Sequence, residues 1–300
     1  MTERAETTID LPGNFRVAEV LAFHGRDRDQ IAEIVAADGF RKGLLWEGAP
    51  ACLSVRIAGG RAACGLEIDG PAPGRTEERL DTLARRMLGL SQPVDRFEEA
   101  YRDHPDVGRM IAQNPGLRLP VAASPFEALS WAITGQQISV AAAVSIRRKL
   151  IQAAGIRHSG GLLCYPDATA VLGLGVERLR QAGFSRSKAD TLLEVGRRQL
   201  SGDLPLDAWL GGAEEEGAAD RLLATPGVGP WTVSYACLRG YGWLDGSLHG
   251  DVAVRRSLQT LLGLAEKPDA RTTERWLAGF RPWRALVGAH LWAFRSAQAY

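Results

Sequence analysis

The chain has 300 residues, about two domains at ordinary domain size. Its composition, 45% hydrophobic and 24% charged, excludes a disordered chain, a collagen-like chain and a small disulfide scaffold. A formal net charge of +1 selects no particular partner, the mixed-charge opening Thr2-Glu3-Arg4 does not read as a secretory signal, and no apolar run approaches a membrane span.

In chain order, the first hundred residues read as mixed α and β. Residues 15–23 have the composition of a strand, and 29–37 have helical spacing. Segments 44–46, 51–58 and 61–68 read as short strands between Gly- and Pro-containing breaks, the last two forming a hairpin about Gly59-Gly60. Segment 77–90 sets Leu80, Leu83, Ala84, Met87 and Leu88 at helical spacing. His24 and His104 stand alone and read as surface or capping residues. Residues 114–120 form a loop, and beyond it strand signals almost vanish.

Ser124-Pro125 supplies an N-cap and a first-turn proline for a helix to about 133, and a second helix spans about 139–154. Further helices are predicted at 167–172, 176–182, 185–200, 214–224, 230–239, 252–262, 272–278 and 283–296, with Glu214, Glu215 and Glu216 favoured at a helix start by the dipole. There is no internal repeat. The expected architecture is α+β: a small antiparallel α/β domain over 1–95, then a mainly helical domain over 96–300.

Cys52, Cys64, Cys164 and Cys237, spaced by 12, 100 and 73 residues, fit no C-x-x-C pattern and read as buried reduced thiols of a cytoplasmic protein. That spacing argues against zinc and against an iron–sulfur cluster. Basic clusters at Arg147-Arg148-Lys149 and Arg255-Arg256, and Arg186 with Lys188, are candidate phosphate contacts set against the commoner reading of a solvated helix face.

Segment 221–232 carries most of the functional signal. Pro226-Gly227-Val228-Gly229 makes a tight turn between two helices, with Pro230 at the first helical position. The two glycines permit positive φ and present bare amides at a helix N-terminus, a site suited to a phosphate. Val228 can anchor the turn in the core. Alone, the segment serves equally as a plain αα-hairpin. Asp251 follows Gly229 by 22 residues and would cap a new helix. A lone aspartate there is most simply an N-cap. Beside a phosphate-gripping turn, it also suits N-glycosidic cleavage, where a fixed anion stabilises an oxocarbenium-like sugar.

With these motifs the sequence resembles the helix–hairpin–helix DNA glycosylase superfamily, and its 3-methyladenine glycosylase II branch most. The likeness rests on 226–232, on Gly250-Asp251 with Val254-Arg255-Arg256, on 126–139 with its Gly135-Gln136-Gln137 turn, and on 281–292. It implies a hairpin at about 221–239 and Asp251 as the catalytic carboxylate. It implies Gly227, Val228 and Gly229 on the DNA backbone, and Gln137 as the wedge filling the duplex gap. It implies Trp231, Tyr235 and Trp292 around the base. No organic cofactor is implied. A monovalent cation on the carbonyls of Leu223, Thr225 and Val228 is. The aromatic residue that follows the aspartate in a well-known relative is Val252 here.

Independently, Trp231 and Tyr235 stand at i and i+4 and share a helix face, as core or as a pocket. Electron-rich rings suit a cationic alkylated purine, which needs no general acid to leave. Bifunctional relatives carry a lysine where this chain has Trp231, and only four of the 36 basic residues are lysine. The expectation is therefore a monofunctional enzyme, monomeric and nucleoid-associated if bacterial. It would bind damaged double-stranded DNA, release 3-methyladenine or 7-methylguanine and leave an abasic site. Excision of hypoxanthine or 8-oxoguanine, and a catalytically silent DNA-binding module, stand as alternatives. His249, before the aspartate, is a candidate DNA contact.

Overall fold

The computed structural model describes residues 2–71, 74–211 and 215–295. The N-terminal part comprises β1 (Thr2–Asp10), α1 (Val17–His24), β2 (Glu33–Ala36), β3 (Gly39–Trp46), β4 (Ala49–Ala58), β5 (Arg61–Asp69) and α2 (Thr76–Met87). The strands form one antiparallel sheet in the order β1-β5-β4-β3-β2. The β4–β5 hairpin closes with Ala58 opposite Arg61, and Gly59 and Gly60 both take positive φ, 57° and 73°, as a two-residue turn of this hand requires. Strand alternation places Ala62, Cys64, Leu66 and Ile68 on the face covered by Leu80, Leu83, Ala84 and Met87 of α2.

Three readings of this part are corrected. Residues 15–23 are largely helix, because the buried Val20, Phe23 and His24 fall at i, i+3 and i+4. Residues 29–37 hold a turn and β2, an edge strand registered Ala36 against Gly39, so their apparent helical spacing gives way to hairpin pairing. His24 is fully buried: its ring stacks on Phe40 at 3.8 Å and its Nδ1 meets Glu33 Oε1 at 2.9 Å. β1 was not anticipated, since an edge strand with Arg and Glu on its open face has little apolar signal. His104 does cap, its Nδ1 accepting the amides of Asp106 and Val107.

The remainder is helical: α3 (Val94–Tyr101), α4 (Val107–Gln113), α5 (Pro125–Gly135), α6 (Val140–Ala154), α7 (Ala168–Gln181), α8 (Arg186–Ser201), α9 (Glu215–Leu223), α10 (Pro230–Tyr241), α11 (Val252–Leu262), α12 (Ala270–Ala278) and α13 (Arg284–Arg295). Ser124, Ser139, Asp167, Ser185 and Asp269 cap five of them with side-chain oxygens. α7 is interrupted at Gly175, φ 66°, which explains the two predicted pieces. α3 and α4 had no counterpart in the sequence reading, and predicted Glu214 and Ser296 lie outside the described residues.

Three apolar cores result: one under the sheet, one among α5–α10, and one joining α3 and α4 to α11–α13. The four cysteines are buried and lie outside any disulfide. Among the described residues no helix is long and apolar enough to cross a membrane.

Sheet and helices are joined by buried charge. Lys42 Nζ donates to Glu33 at 2.8 Å and to Glu127 at 2.7 Å, and Arg147 reaches both carboxylates at 3.0 Å. Arg147 is thus neither a solvated face nor a phosphate clamp. Its neighbour Arg148 pairs with Asp27 across the same junction.

Candidate active site

The α9–α10 hairpin is locked from within. Val228 N–H donates to the Thr225 carbonyl at 3.0 Å, and the Val228 side chain is buried in the α5–α10 core. The Val228 amide is therefore engaged inside the turn, and this residue serves as anchor. The two glycines differ from the expectation of paired positive φ. Gly227 has φ 82°, and a Cβ there would stand 1.9 Å from Thr191 Oγ1 on α8. Gly229 has φ −100°, ordinary extended backbone, and open space around its missing Cβ. Gly229 caps α10 with no side-chain bond, and Pro230 follows at the first helical position. The first-turn amides are left for an anion, and no side chain at Gly229 stands in its way.

The α5–α6 turn is tied to this hairpin. Gln136 Nε2 donates to the Gly227 carbonyl at 3.0 Å and to Thr232 Oγ1 at 2.9 Å. Gln137, next in chain, is exposed with φ 55°, flanked by exposed Ile138 and Val140. Lys188 Nζ donates to the carbonyls of Thr134 and Gln136, at 2.8 and 2.7 Å, so it fixes the turn. Burial also lowers its pKa. It is corrected from a candidate DNA contact to a brace. Arg186 pairs with Asp190 on the surface.

Asp251 caps α11. Its Oδ1 accepts the amides of Ala253 at 2.8 Å and Val254 at 3.0 Å, and the Trp292 indole N–H at 3.2 Å. Its Oδ2 accepts the Trp231 indole N–H at 3.0 Å. All four partners are neutral and donor-only, and no Lys or Arg pairs with it among the described residues. The Tyr235 ring lies beside both tryptophans, 5.2 Å from Trp231 and 6.2 Å from Trp292. The loop leading to Asp251 is held by Arg284, which grips Asp245 through two nitrogens at 2.8 and 2.9 Å. His249 bonds Ser247 at 2.9 Å. Val252, just after the aspartate, is exposed.

The structure therefore gathers Asp251, Trp231, Tyr235 and Trp292 into one cluster. The carbonyls of Leu223, Thr225 and Val228 belong to the end of α9 and the turn. Two contributors escaped sequence reading. Trp131 of α5 donates its indole N–H to the Tyr235 hydroxyl at 2.9 Å. Arg26, after α1, lays its guanidinium 4.7 Å over the Trp131 ring and 4.1 Å over Phe23. A tryptophan two residues before a predicted helix end was the only signal of the first. A groove of about 640 Å³ between sheet and helices, lined by Trp46, Arg86, Tyr165 and Asp207, shares no residue with this cluster.

Residues 130–282 match the family described as HhH-GPD superfamily base excision DNA repair protein. The chain is 31% identical over 188 residues to DNA-3-methyladenine glycosylase 2 of Escherichia coli, covering 62% of this chain and 63% of that protein. It is 29% identical over 212 residues to a Mycobacterium tuberculosis protein named probable bifunctional transcriptional activator/DNA repair enzyme AlkA, covering 69% and 41%. These matches thus span less than two thirds of either curated relative. The fold is similar to that of a 3-methyladenine DNA-glycosylase from Archaeoglobus fulgidus, with TM-score 0.79, 21% identity, and coverage of 96% and 98%.

Proposed function

This chain belongs to the HhH-GPD superfamily of base excision DNA repair proteins, and from that premise we propose that it is a monofunctional DNA glycosylase for alkylated purines. The observation that carries the reading is Asp251, a carboxylate fixed by four neutral N–H donors beside three aromatic rings. Relatives named 3-methyladenine glycosylases support the substrate class.

On this reading a duplex phosphate rests on the first-turn amides of α10, after Gly229, and the damaged nucleotide turns out of the stack at a cost of a few kcal/mol. Gln137 enters the vacated position. Trp231, Tyr235 and Trp292 receive the base, and their π faces favour a cationic ring. The C1′–N bond breaks with its electron pair leaving on the base, which is neutral once 3-methyladenine or 7-methylguanine departs. The sugar becomes oxocarbenium-like, and the Asp251 anion, paired with no Lys or Arg among the described residues, stabilises that charge. Water bonds to C1′ and releases a proton, leaving an abasic site. Trp231 stands where a Schiff-base lysine would be needed for strand cleavage.

A monovalent cation would suit the neutral oxygens of Leu223, Thr225 and Val228 at a helix C-terminus, where the dipole is negative. The second lone pair of the Thr225 carbonyl remains for it beside the Val228 amide. We further read the protein as a monomer on damaged double-stranded DNA.

The test is base release from methylated duplex DNA, with the freed bases separated and identified. Wild type should liberate 3-methyladenine or 7-methylguanine, and Asp251→Asn should lower the rate about 10²–10³-fold while still binding DNA. Equal release by both proteins, or none by wild type, ends this reading.

A further inference from the structure

The hydrogen-bond inventory of the aromatic cluster leaves one donor unmatched. The Trp131 indole N–H can only donate, so at 2.9 Å the Tyr235 hydroxyl oxygen must accept from it. The hydroxyl's own hydrogen then points away from Trp131. Among the described residues no acceptor meets it, although Tyr235 is only 9% exposed. A buried donor without a partner is costly to keep, and in a ligand site it marks the place of a ligand's acceptor. Tyr235 lies against Trp231 and Trp292, the two residues whose indoles hold Asp251, so this hydrogen belongs to the lining beside the reacting carboxylate.

We propose that the Tyr235 hydroxyl donates a hydrogen bond to the departing base, and that Trp131 is the positioning residue that turns it to do so. The proposal rests on the glycosylase reading above. Arg26 secures the arrangement from the N-terminal part of the chain, with its guanidinium over the Trp131 ring and its Nε on the Phe23 carbonyl at 2.8 Å. A donor chain from Trp131 through Tyr235 to the base polarises each link.

The chemistry sets which bases depend on it. When the C1′–N bond breaks, the electron pair goes to the base, and water bonds to C1′ and loses its proton to solvent. A cationic alkylated purine leaves neutral and gains little from a donor. A neutral purine such as hypoxanthine leaves as an anion, and a hydrogen bond from Tyr235, with no proton transferred, stabilises that charge.

Single-turnover release of 7-methylguanine and of hypoxanthine from duplex DNA tests this on wild type, Tyr235→Phe, Trp131→Phe and the double variant. The ratio of the two rates within one preparation does not depend on how much of a variant is folded. Tyr235→Phe should slow hypoxanthine release about 10- to 100-fold and 7-methylguanine release about threefold. Trp131→Phe should slow hypoxanthine release by less, and add nothing in the Tyr235→Phe background. An unchanged ratio in Tyr235→Phe overturns the donor role. So does a wild type that frees 7-methylguanine but no hypoxanthine, and in both cases the alkylated-purine reading stands. An undiminished Trp131→Phe effect in the double variant overturns the positioning role. A wild type that frees neither of these bases nor 3-methyladenine overturns the glycosylase reading, and this proposal with it.

Discussion

Glu33 and Glu127, buried where sheet and helices meet, and Asp251, half-buried at the head of α11, are carboxylates held by opposite means. The junction pair is met by Lys42 and Arg147, whose charges hold both carboxyls below the usual range against a burial that pushes them up. Asp251 is met by two amides and two indoles, which fix its orientation without cancelling its charge. A carboxylate already paired with a guanidinium has little field left for a developing cation. One held by neutral donors keeps it, which is what separation of a sugar from its base requires. The same side-chain chemistry thus cements one region and, on the proposed glycosylase reading, arms the other, and the counter-ion decides which.

The largest effect should come from removing a counter-ion. Lys42→Met leaves two buried carboxylates facing one cation, and should destabilise the protein by about 3–5 kcal/mol in urea or thermal unfolding. A loss below about 1 kcal/mol would mean that water reaches the cluster. Asp251→Asn should do the reverse. Asparagine caps a helix as well as aspartate, so stability should stay within about 1 kcal/mol of wild type while base release collapses. A variant that both unfolds and loses activity would place Asp251 with the cementing carboxylates.

Acid separates the regions next. Burial lowers the pKa of His24, and it lowers that of His290 to about 3. Both hold their protons less readily in the folded protein than in the unfolded chain, where they take up protons below about 6.5. Stability should therefore fall as pH drops beneath that value, by up to about 1.4 kcal/mol per pH unit for each histidine. The Glu33 and Glu127 contributions are present above about 4.5 and disappear as pH falls through their lower folded values. Melting temperatures between pH 7 and 5 should show the histidine slope, and His290→Leu should flatten it.

The cementing region was nearly invisible in the sequence, and the reason is distance along the chain. Lys42 and Glu127 are 85 residues apart, and their meeting depends on the register of β3 and the packing of α5, which no local pattern encodes. His24 was misread for the same reason: its partner Glu33 belongs to a strand that itself read as helix. The Asp251 region was readable because its parts are local signals. Gly227 to Trp231 is one turn with a following helix start, and Asp251 is one cap. Tyr235 is one turn beyond Trp231. Trp292 entered through resemblance alone, and Trp131 and Arg26 not at all, because a hydrogen bond between α5 and α10 and a cation over a ring leave no periodic trace.

The smallest expected effect dissects the hairpin itself, where two glycines that look equivalent in sequence do different work. Gly227→Ala places a Cβ at φ 82° and 1.9 Å from Thr191 Oγ1, so α8 and the turn must part. Stability should fall by about 1–3 kcal/mol, and DNA binding with it. Gly229→Ala meets nothing within 4 Å at an ordinary φ of −100°, so the fold should be unchanged within about 0.5 kcal/mol. Its methyl group would still stand at the head of α10, where the proposed phosphate approaches the amides. Affinity for duplex DNA should therefore drop about three- to tenfold at unchanged stability. Gly229→Ala with full affinity would move the phosphate away from this helix start, and leave Gly227 a packing role alone.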